Sequence, residues 1–333
     1  MIRDEQESFT PRVSVITVTY NLISSGRVNF FEDCLKSVQQ QDYLNFEHLV
    51  IDGGSSDGTV ELLKKYENLG WIKYISERDS GVYDAMNKGI RLAEGEYINF
   101  LNSDDHFCCS TAISSSMDAI LRHGADMSCS KAYVIDEYSG ERIAEWNQGW
   151  DSLFFGECPN HQTVFCRKSV LEEIGGFCSE AIAKDFISFL LIYALGKKVI
   201  RNDQFIVNFR CGGLSSNSNY NNQKNLDEIK SYIYSLFAQR YGISPSEYDQ
   251  VYHYKYLKKP TSSLISIGSR IENLAWKERF FENISVFPSR RYPIVWMLRK
   301  RDCFLFGILS MRLVKIFKKE GQLRVSVFGI RIR

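Results

Sequence analysis

Two acidic segments in the first third of the sequence carry residue types that could bind a nucleotide and a cation. The segment VIDGGSSDGT, Val50–Thr59, places the carboxylate of Asp52 before two glycines and a Ser/Asp cluster. A carboxylate can accept hydrogen bonds from a base or a ribose, and glycines allow close approach of the backbone to a ligand. The alternative is a capped turn between a strand and a helix, which explains Ser56 and Asp57 better than Asp52.

The second segment, GEYINFLNSDD at Gly95–Asp105, ends an apolar run with two adjacent acids. Negative charge at the end of a buried strand is costly unless a cation offsets it. Mg²⁺ and Mn²⁺ typically take one or two protein carboxylates and complete their coordination with phosphate oxygens and water. We therefore expect a divalent cation, Mn²⁺ or Mg²⁺, at Asp104 and Asp105, against the alternative of a solvated loop.

A repeating strand–helix pattern positions these segments. Four apolar runs, each followed by polar or glycine-rich residues and then by helical spacing, predict strands at Val13–Thr19, Phe46–Asp52, Trp71–Ser76 and Tyr97–Leu101. Parallel strands need helical crossovers of this kind. Because ligands of open parallel sheets collect at the carboxyl ends of the strands, we expect the four strand ends to converge on one edge.

The pattern after residue 106 is mixed. It predicts helices near Ala112–His123, Asp185–Leu195 and Leu226–Tyr241, with an Asn- and Ser-rich loop at Asn217–Asn225.

These patterns divide the chain into three parts. We expect an N-terminal tail, an α/β domain with a nucleotide-binding first half and a second half, and a helical, basic C-terminal extension; the ranges are 1–10, 11–225 (halves 11–106 and 107–225) and 226–333.

Composition excludes several classes of protein. The hydrophobic content of 44% and the charged content of 24% are ordinary for a globular protein. No uninterrupted apolar run approaches the roughly twenty residues that span a bilayer. The nine cysteines lack disulfide or zinc-site spacing, and the first residues lack a secretory apolar core. We expect a cytoplasmic protein that is soluble or peripheral at the inner face of the plasma membrane.

The end of the chain is strongly basic. Residues 287–333 hold twelve Lys or Arg and two acidic residues, interleaved with aromatic side chains. Such a mixture suits an anionic membrane surface. The alternative is a C-terminal helix pair with a solvated charged face. No recognised nucleic-acid-binding module accompanies the charge, so we expect no nucleic-acid partner.

Four segments, in the order RVSVITVTYN, VIDGGSSDGT, ISERDSGVYDAMNKGI and GEYINFLNSDD, together resemble the family 2 glycosyltransferases with a GT-A fold. The resemblance covers Pro11–Asp105 and extends more loosely to about Ser215. It implies a Rossmann-like, mostly parallel sheet with flanking helices. It also implies metal-dependent, inverting transfer of a sugar from a nucleotide-diphosphate donor to a glycan or lipid-linked saccharide, in a bacterial surface polysaccharide such as lipopolysaccharide.

The resemblance assigns roles to individual residues. Asp104 and Asp105 match the acidic motif that holds ribose and metal, although Asn102 stands where many relatives have an acid. The helix N-cap is the alternative role of Asp84. The residues that would line the nucleotide-sugar pocket are Thr19, Tyr20, Asp52, Arg78, Asp84 and Asp104.

The resemblance also makes residues 107–225 the acceptor half of the domain. The segment NHQTVFCR, with His161 and Gln162, matches a region that lines the acceptor, and Asp185 matches the general base. Such a base removes the proton of the acceptor hydroxyl and typically contributes 10²–10⁴-fold. The alternative for Asp185 is a cap of the helix that follows it.

Two rival functions remain open at this point. A sugar-nucleotide pyrophosphorylase shares the architecture, but it normally opens with a glycine-rich phosphate loop, and Val13–Asn21 has no glycine. A catalytically inactive nucleotide-sugar-binding scaffold is the second rival, and Asn102 is the reason to consider it.

Overall fold

The computed structural model describes most of the chain in separate ranges. These are residues 10–177, 184–212, 223–236, 242–252, 254 and 257–277, and the strands within 295–332.

The first half alternates strands and helices as predicted. Its elements are β1 (Val13–Thr19), α1 (Val28–Gln39), β2 (Phe46–Asp52), α2 (Thr59–Asn68), β3 (Lys73–Ser76), α3 (Val82–Leu92) and β4 (Tyr97–Phe100). The bounds predicted for β1 and β2 are confirmed, whereas β3 begins two residues later than predicted and β4 ends one residue earlier. Nearly all residues of β1 and β2 are buried, as expected for strands covered on both faces.

The second half contains shorter strands and two 3₁₀ turns. Its elements are β5 (His106–Phe107), α4 (Ala112–His123), β6 (Met127–Ile135), β7 (Arg142–Trp146), the turns Trp150–Phe155 and His161–Thr163, β8 (Phe165–Arg167), α5 (Lys168–Glu173), α6 (Lys184–Ala194) and β9 (Val199–Arg210). The prediction of α4 is confirmed, and α6 lies one residue before its predicted position.

One sheet joins both halves in the order β3-β2-β1-β4-β8-β6-β9-β5, with β7 paired to β6. The strands β3, β2, β1 and β4 are parallel, which confirms the predicted α/β arrangement of the first half. Beyond β4 the sheet is mixed, because β8 pairs antiparallel with both β4 and β6, whereas β6 and β9 are parallel.

Helices cover both faces of this sheet. On one face, α3 approaches so closely that a Cβ on Gly89 would lie 2.6 Å from a methyl carbon of Ile16. On the opposite face, Val15 packs in one apolar cluster with Val38 of α1 and Ile113 of α4. Because successive side chains of β1 point to opposite faces of the sheet, helices pack on both sides and form a three-layer core. The carboxyl ends of the strands lie at the edge of this core.

The predicted helical extension is confirmed over its first part. It contains α7 (Gln223–Leu236), α8 (Pro245–Val251) and α9 (Ser262–Lys277). The Tyr248 hydroxyl donates a hydrogen bond to the Phe154 carbonyl at 2.9 Å, and the rings of Phe155 and Tyr254 are 4.7 Å apart. These helices thus pack on the 3₁₀ turn Trp150–Phe155. Of the residues that the structure describes, none belongs to a helix long and apolar enough to cross a membrane.

The prediction of helices in the last part is wrong. Consecutive strands form a second, five-stranded antiparallel sheet: β10 (Val295–Lys300), β11 (Cys303–Ile308), β12 (Met311–Lys319), β13 (Gln322–Val327) and β14 (Ile330–Ile332). The sequence of β13, QLRVSV, alternates apolar and polar residues with a period of two, and its branched valines favour a strand.

Candidate functional site

The carboxyl ends of β1, β2 and β3 meet at one edge of the sheet. The Gly53 amide donates to the Thr19 carbonyl at 2.9 Å, and the Glu77 amide donates to the Asp52 carbonyl at 3.1 Å. A Cβ on Gly53 would lie only 2.7 Å from Asp79 Oδ2. Glycine is therefore the residue that lets these three strand ends close together, which agrees with the predicted convergence.

Asp52 lies fully buried beneath the glycine turn and shapes it. Its Oδ2 accepts hydrogen bonds from the Gly54 amide (3.1 Å), the Ser55 amide (2.8 Å) and the Ser76 hydroxyl (2.6 Å). Its Oδ1 accepts the Ser55 hydroxyl. The carboxylate thus holds the turn in place from below, and its predicted contact with a nucleotide remains a prediction.

Thr19 and Tyr20 present two kinds of surface at the same edge. The Thr19 side chain is buried, and its Oγ1 has no hydrogen-bond partner in the described part of the chain. Tyr20 is 62% exposed, and a Cβ on Gly53 would lie 3.2 Å from the Tyr20 ring. The exposed Tyr20 ring is a surface on which a planar ligand could stack, whereas the Thr19 hydroxyl is buried from solvent.

The loop between β3 and α3 carries Arg78 and leads to Asp84. The Arg78 side chain is exposed, whereas its carbonyl accepts a hydrogen bond from Lys88 Nζ at 2.6 Å. Asp84 is the third residue of α3 and accepts the Ser80 amide at 3.0 Å, and Gly81 occupies the N-cap position. The alternative role of N-cap for Asp84 is therefore wrong, although its carboxylate still binds the backbone at the helix start.

Asp105 is enclosed by the protein. It is 1% exposed, its Oδ1 accepts the Arg210 amide, and its Oδ2 accepts Gln162 Nε2. Burial, reinforced by the nearby charge of Asp104, raises the pKa of Asp105 well above its usual range. Both oxygens are thus committed to holding the acidic motif against β9 and the His161–Thr163 turn.

Asp104 lies nearer the surface. Its Oδ2 forms an ion pair with Arg27, which also contacts Glu137 Oε1 at 3.3 Å. Its Oδ1 receives no hydrogen bond from the described residues. Of the two adjacent acids, Asp104 is therefore the one with an oxygen available to a ligand.

No group of three or more His, Cys, Asp and Glu side chains within the described ranges could hold a metal ion. A cation bound at Asp104 would therefore take most of its coordination from ligand oxygens and water, as Mg²⁺ commonly does. The residues present fit that kind of site, and they do not fit an all-protein cage.

Sequence reasoning missed two arginines that surround the acids. Arg27 precedes α1, and Arg210 ends β9, where its Nε donates to the Asp104 carbonyl at 2.9 Å. Arg210 is 7% exposed and lies over the Phe30 ring at 4.2 Å. Arg210 could have been found, because a charged strand end with two glycines one residue further on resembles the signal that identified Asp52. Arg27 carries no comparable signal.

The predicted acceptor-side residues meet as a pair. His161 Nδ1 lies 3.5 Å from Asp185 Oδ2, although 24 positions separate them in the chain. The Phe186 amide donates to Asp185 Oδ1 at 2.9 Å. Burial alone would raise the pKa of Asp185, but His161 and the backbone amide outweigh burial and hold that pKa below its ordinary value.

Gln162 connects this pair to the acids. It is fully buried, its Oε1 accepts the Asn102 amide at 2.9 Å, and its Nε2 binds Asp105. The Asn99 side chain also donates to the Gln162 carbonyl at 2.8 Å. Gln162 thus fixes the acidic motif from within, and its predicted contact with an acceptor remains a prediction.

Comparisons with known proteins agree with this geometry. The family model described as Glycosyl transferase family 2 matches residues 14–174. The uncharacterized glycosyltransferase Rv1514c of Mycobacterium tuberculosis is 39% identical over 115 residues, which is 34% of this chain and 42% of that protein. A PGL/p-HBAD biosynthesis glycosyltransferase of Mycobacterium bovis is 30% identical over 171 residues, or 50% of this chain and 63% of that protein. The chain thus matches less than two thirds of the length of these relatives.

Solved structures share the fold. The crystal structure of S. aureus TarS 1–349 in complex with UDP-GlcNAc has a TM-score of 0.55 at 18% identity, and the match covers 79% of this chain and 81% of TarS 1–349. At that identity the likeness concerns the fold alone.

Proposed function

Because residues 14–174 belong to family 2 of the glycosyltransferases and take the GT-A fold, we propose that the protein transfers a sugar from a nucleotide-diphosphate donor to a glycan or lipid-linked saccharide. The observation that carries the proposal is the convergence of polar strand ends at one edge. There the glycine turn contacts the Arg78 loop, and β4, which leads into the acidic motif, pairs with β1. A ligand with a base, a ribose and two phosphates would lie across these strand ends.

The donor would lie across the ends of β1 to β4. Tyr20 offers an exposed ring to the base, and Thr19, the buried residue directly before it, completes this wall of the pocket. Arg78 provides an exposed guanidinium for phosphate, for which its planar donors are suited. Asp84, near the start of α3, directly follows the same loop and would face the same donor. We give Asp52 the role of holding the glycine turn. Its contact with the nucleotide would be made through the backbone amides that it orients.

We assign the divalent cation, Mn²⁺ or Mg²⁺, to Asp104. Its Oδ1 is available, whereas both oxygens of Asp105 accept hydrogen bonds inside the protein. A bound cation supplies charge stabilisation to the departing diphosphate, a contribution of several kcal/mol. Arg27 then acts as the counter-charge that keeps Asp104 in position, and Asp105 keeps the motif attached to β9.

The reaction that this arrangement suits is direct displacement with inversion. It requires a base for the acceptor hydroxyl on the side away from the diphosphate, and the His161–Asp185 pair supplies titratable groups in the acceptor half. A pyrophosphorylase is less well supported, because β1 runs into Tyr20 and Asn21 rather than into a glycine-rich phosphate loop.

The biological setting that we propose is the synthesis of a bacterial polysaccharide or glycolipid. The relative from Mycobacterium bovis is named for PGL/p-HBAD biosynthesis, and the S. aureus structure was solved with UDP-GlcNAc. Both proteins come from bacteria, and the S. aureus structure contains a sugar donor activated by a nucleotide.

A screen of nucleotide sugars tests the proposal. Thermal unfolding of the full chain is measured with UDP-, GDP- and dTDP-sugars, with and without Mn²⁺. At 100 times its Kd, the correct donor stabilises the folded state by about 2.7 kcal/mol, which raises Tm by roughly 5 °C. Release of radiolabelled sugar from that donor then distinguishes an enzyme from an inactive scaffold. The absence of both stabilisation and turnover with every donor would contradict the proposal.

We further propose that the basic tail binds an anionic membrane surface. The strands β10 to β14 belong to a segment, 287–333, with twelve basic and two acidic residues. Each Lys or Arg near such a surface contributes about 1 kcal/mol. Sedimentation with phosphatidylserine-containing vesicles should fall when 287–333 is deleted, and equal sedimentation of both forms would refute this part.

A further inference from the structure

Two adjacent cysteines follow β5 and take no part in the site described above. The thiols of Cys108 and Cys109 donate to the same acceptor, the Phe205 carbonyl of β9, with sulfur–oxygen distances of 3.2 Å and 3.8 Å. Because both sulfurs reach one oxygen, they lie on the same side of the chain. Both residues are partly exposed, so a small solute can reach them.

The other cysteines of the described ranges are poorer nucleophiles. The thiolate rather than the thiol reacts, so a raised pKa lowers reactivity near neutral pH. Cys211 is partly exposed, but burial and the charge of Asp136 raise its pKa. Burial also raises the pKa of four further cysteines, Cys34, Cys129, Cys158 and Cys166.

The surroundings of Cys109 favour its thiolate. Cys109 lies two residues before Thr111, the N-cap residue of α4, and the Thr111 hydroxyl donates to its sulfur at 3.7 Å. Once Cys109 has lost its proton, the Cys108 thiol can donate to it instead of to Phe205. This hydrogen bond from Cys108, opposed by burial and supported by Thr111, lowers the pKa of Cys109 to about 6, and the same contact raises the pKa of Cys108. A reactive thiolate therefore lies next to a thiol that keeps its proton, which is the arrangement of redox-sensing cysteines.

We propose that Cys108 and Cys109 form a reversible redox site for hydrogen peroxide and organic hydroperoxides, in which Cys109 attacks the peroxide and Cys108 closes a disulfide. The observation that carries the proposal is the pair of accessible thiols at one acceptor oxygen beside the start of α4. The chemistry of this site does not depend on the transferase activity proposed above.

The reaction takes place in two steps. The Cys109 thiolate attacks one peroxide oxygen, the O–O bond breaks, and hydroxide leaves and becomes water, which gives a sulfenic acid on Cys109. The Cys108 sulfur then gives up its proton and attacks the Cys109 sulfur, the S–O bond breaks, and a second water forms. Two thiols are thus oxidised by two electrons while the peroxide is reduced to two waters.

The disulfide of two adjacent residues is strained and therefore easily reduced. Neighbouring Cα atoms lie about 3.8 Å apart across a trans peptide bond, whereas disulfides usually join Cα atoms about 4.4–6.8 Å apart. Strained disulfides have more oxidising potentials and are the labile ones. A reducing compartment would therefore return the pair to thiols once the peroxide is gone.

The pair is attached to the acidic motif through β5. The Cys108 amide donates to the Ile206 carbonyl at 2.9 Å, and β5 joins Cys108 to Asp105. The partner strand β9 ends at Arg210, whose amide binds Asp105. Closing the disulfide draws both sulfurs away from Phe205 and strains this strand pairing. Oxidation should therefore loosen the hold on Asp105 and weaken Mn²⁺-dependent nucleotide binding, a consequence that rests on the proposed function.

The first test measures the reactivity of single thiols. The reduced full chain is treated with limiting iodoacetamide at pH 7, and labelling of each cysteine is followed by peptide mass spectrometry. We expect Cys109 to react at least threefold faster than Cys211, since its larger thiolate fraction outweighs its lower intrinsic nucleophilicity. Labelling of Cys109 at or below the rate of Cys211 would overturn the proposal.

The second test follows the disulfide itself. The tryptic peptide 92–122 contains Cys108 and Cys109 as its only cysteines. After treatment with hydrogen peroxide we expect this peptide to lose two hydrogens and to regain them with dithiothreitol. In Cys108→Ser the reaction should stop at a sulfenic acid on Cys109, which dimedone labels, whereas Cys211→Ser should behave as the wild type. A wild-type peptide that forms no disulfide contradicts the proposal.

The third test asks whether oxidation reaches the acidic motif. Calorimetry with UDP or GDP and Mn²⁺ compares the reduced and oxidised wild type with the double variant Cys108→Ser/Cys109→Ser treated in the same way. We expect oxidation to weaken binding at least tenfold in the wild type, dithiothreitol to restore it, and the double variant to be insensitive. Equal binding by the reduced and oxidised wild type would refute the link to the motif. A reduced wild type that binds neither nucleotide contradicts the proposed function instead, and the first two tests then decide the thiol site alone.

Discussion

Two carboxylates of the nucleotide-binding half are held at the sheet edge by different means. Asp52 takes its hydrogen bonds from the turn directly after β2 and from the neighbouring Ser76. Asp105 is held by Gln162 and Arg210 of the acceptor half, which are 57 and 105 positions away. The first arrangement is local, and the second exists only in the folded sheet.

This difference has a consequence for charge. The carboxylate of Asp52 is stabilised by hydrogen bonds from the amides of Gly54 and Ser55 and the hydroxyl of Ser55, all in the turn that follows it. Asp104 and Asp105 instead depend on Arg27, Arg210 and Gln162, which different parts of the chain contribute. Cation and donor binding should therefore depend on docking of the two halves more than on either half alone.

The largest effect should come from Asp104, the less buried of the two adjacent acids. Replacing Asp104 by alanine removes the available carboxylate oxygen and leaves Arg27 with a single acidic partner, Glu137. We expect Mn²⁺-dependent binding of UDP or GDP, whichever the wild type prefers, to weaken by roughly 100-fold or more, consistent with a cation contribution of several kcal/mol.

Titration calorimetry with and without Mn²⁺ measures this change. The matched control is Asp118→Ala, because Asp118 is an exposed acid on α4 away from the strand ends. Equal Mn²⁺-dependent affinity in the Asp104 and Asp118 variants would show that the acidic motif does not hold the cation.

The local arrangement around Asp52 is also the part of the site that could be predicted from sequence. Apolar runs and glycine spacing predicted the bounds of β1 and β2 and the convergence of their ends. In the structure these ends lie against the Arg78 loop, which approaches Gly54 closely. Such signals lie within a few residues of one another, so a linear pattern contains them. Contacts between distant parts of the chain leave no such local signal. Arg27 is an example, because nothing around it in the sequence indicates its contact with Asp104, which lies 77 positions away.

The tail shows the second limit of sequence reasoning. Its basic and aromatic residues were interpreted as helices, but strands such as β11 and β12 pair with each other along the chain. Short apolar runs do not distinguish a helix from a strand by periodicity alone, and alternation should have received more weight than charge. The resemblance assigned His161 and Asp185 separately to the acceptor side, whereas their contact with each other comes only from the fold.

A smaller effect should come from the link between the halves. In Gln162→Ala the buried Asp105 loses a donor and the Asn102 amide loses an acceptor. Leaving buried partners unpaired costs about 1–3 kcal/mol, so we expect the free energy of unfolding to fall by about 2–3 kcal/mol.

Urea denaturation measures this loss. The control is Gln204→Ala, since Gln204 is exposed on β9 and should change stability by less than about 0.5 kcal/mol. If the two variants unfold at the same urea concentration, the hydrogen bonds of Gln162 do not stabilise the contact between the two halves.

The smallest effect should isolate the local convergence of β2 and β3. Gly54 has φ +81° and a Cβ there would lie 3.1 Å from the Arg78 amide nitrogen, whereas Gly70 has φ +73° and open space around it. Alanine at either position meets the same left-handed strain of about 1–2 kcal/mol. Only alanine at position 54 must also displace the backbone of the β3–α3 loop. We therefore expect Gly54→Ala to destabilise the protein by roughly 1 kcal/mol more than Gly70→Ala in urea denaturation, since overpacking costs about 1–3 kcal/mol. Equal losses would mean that the loop yields freely, and that the strand ends are held together by Asp52 rather than by close packing.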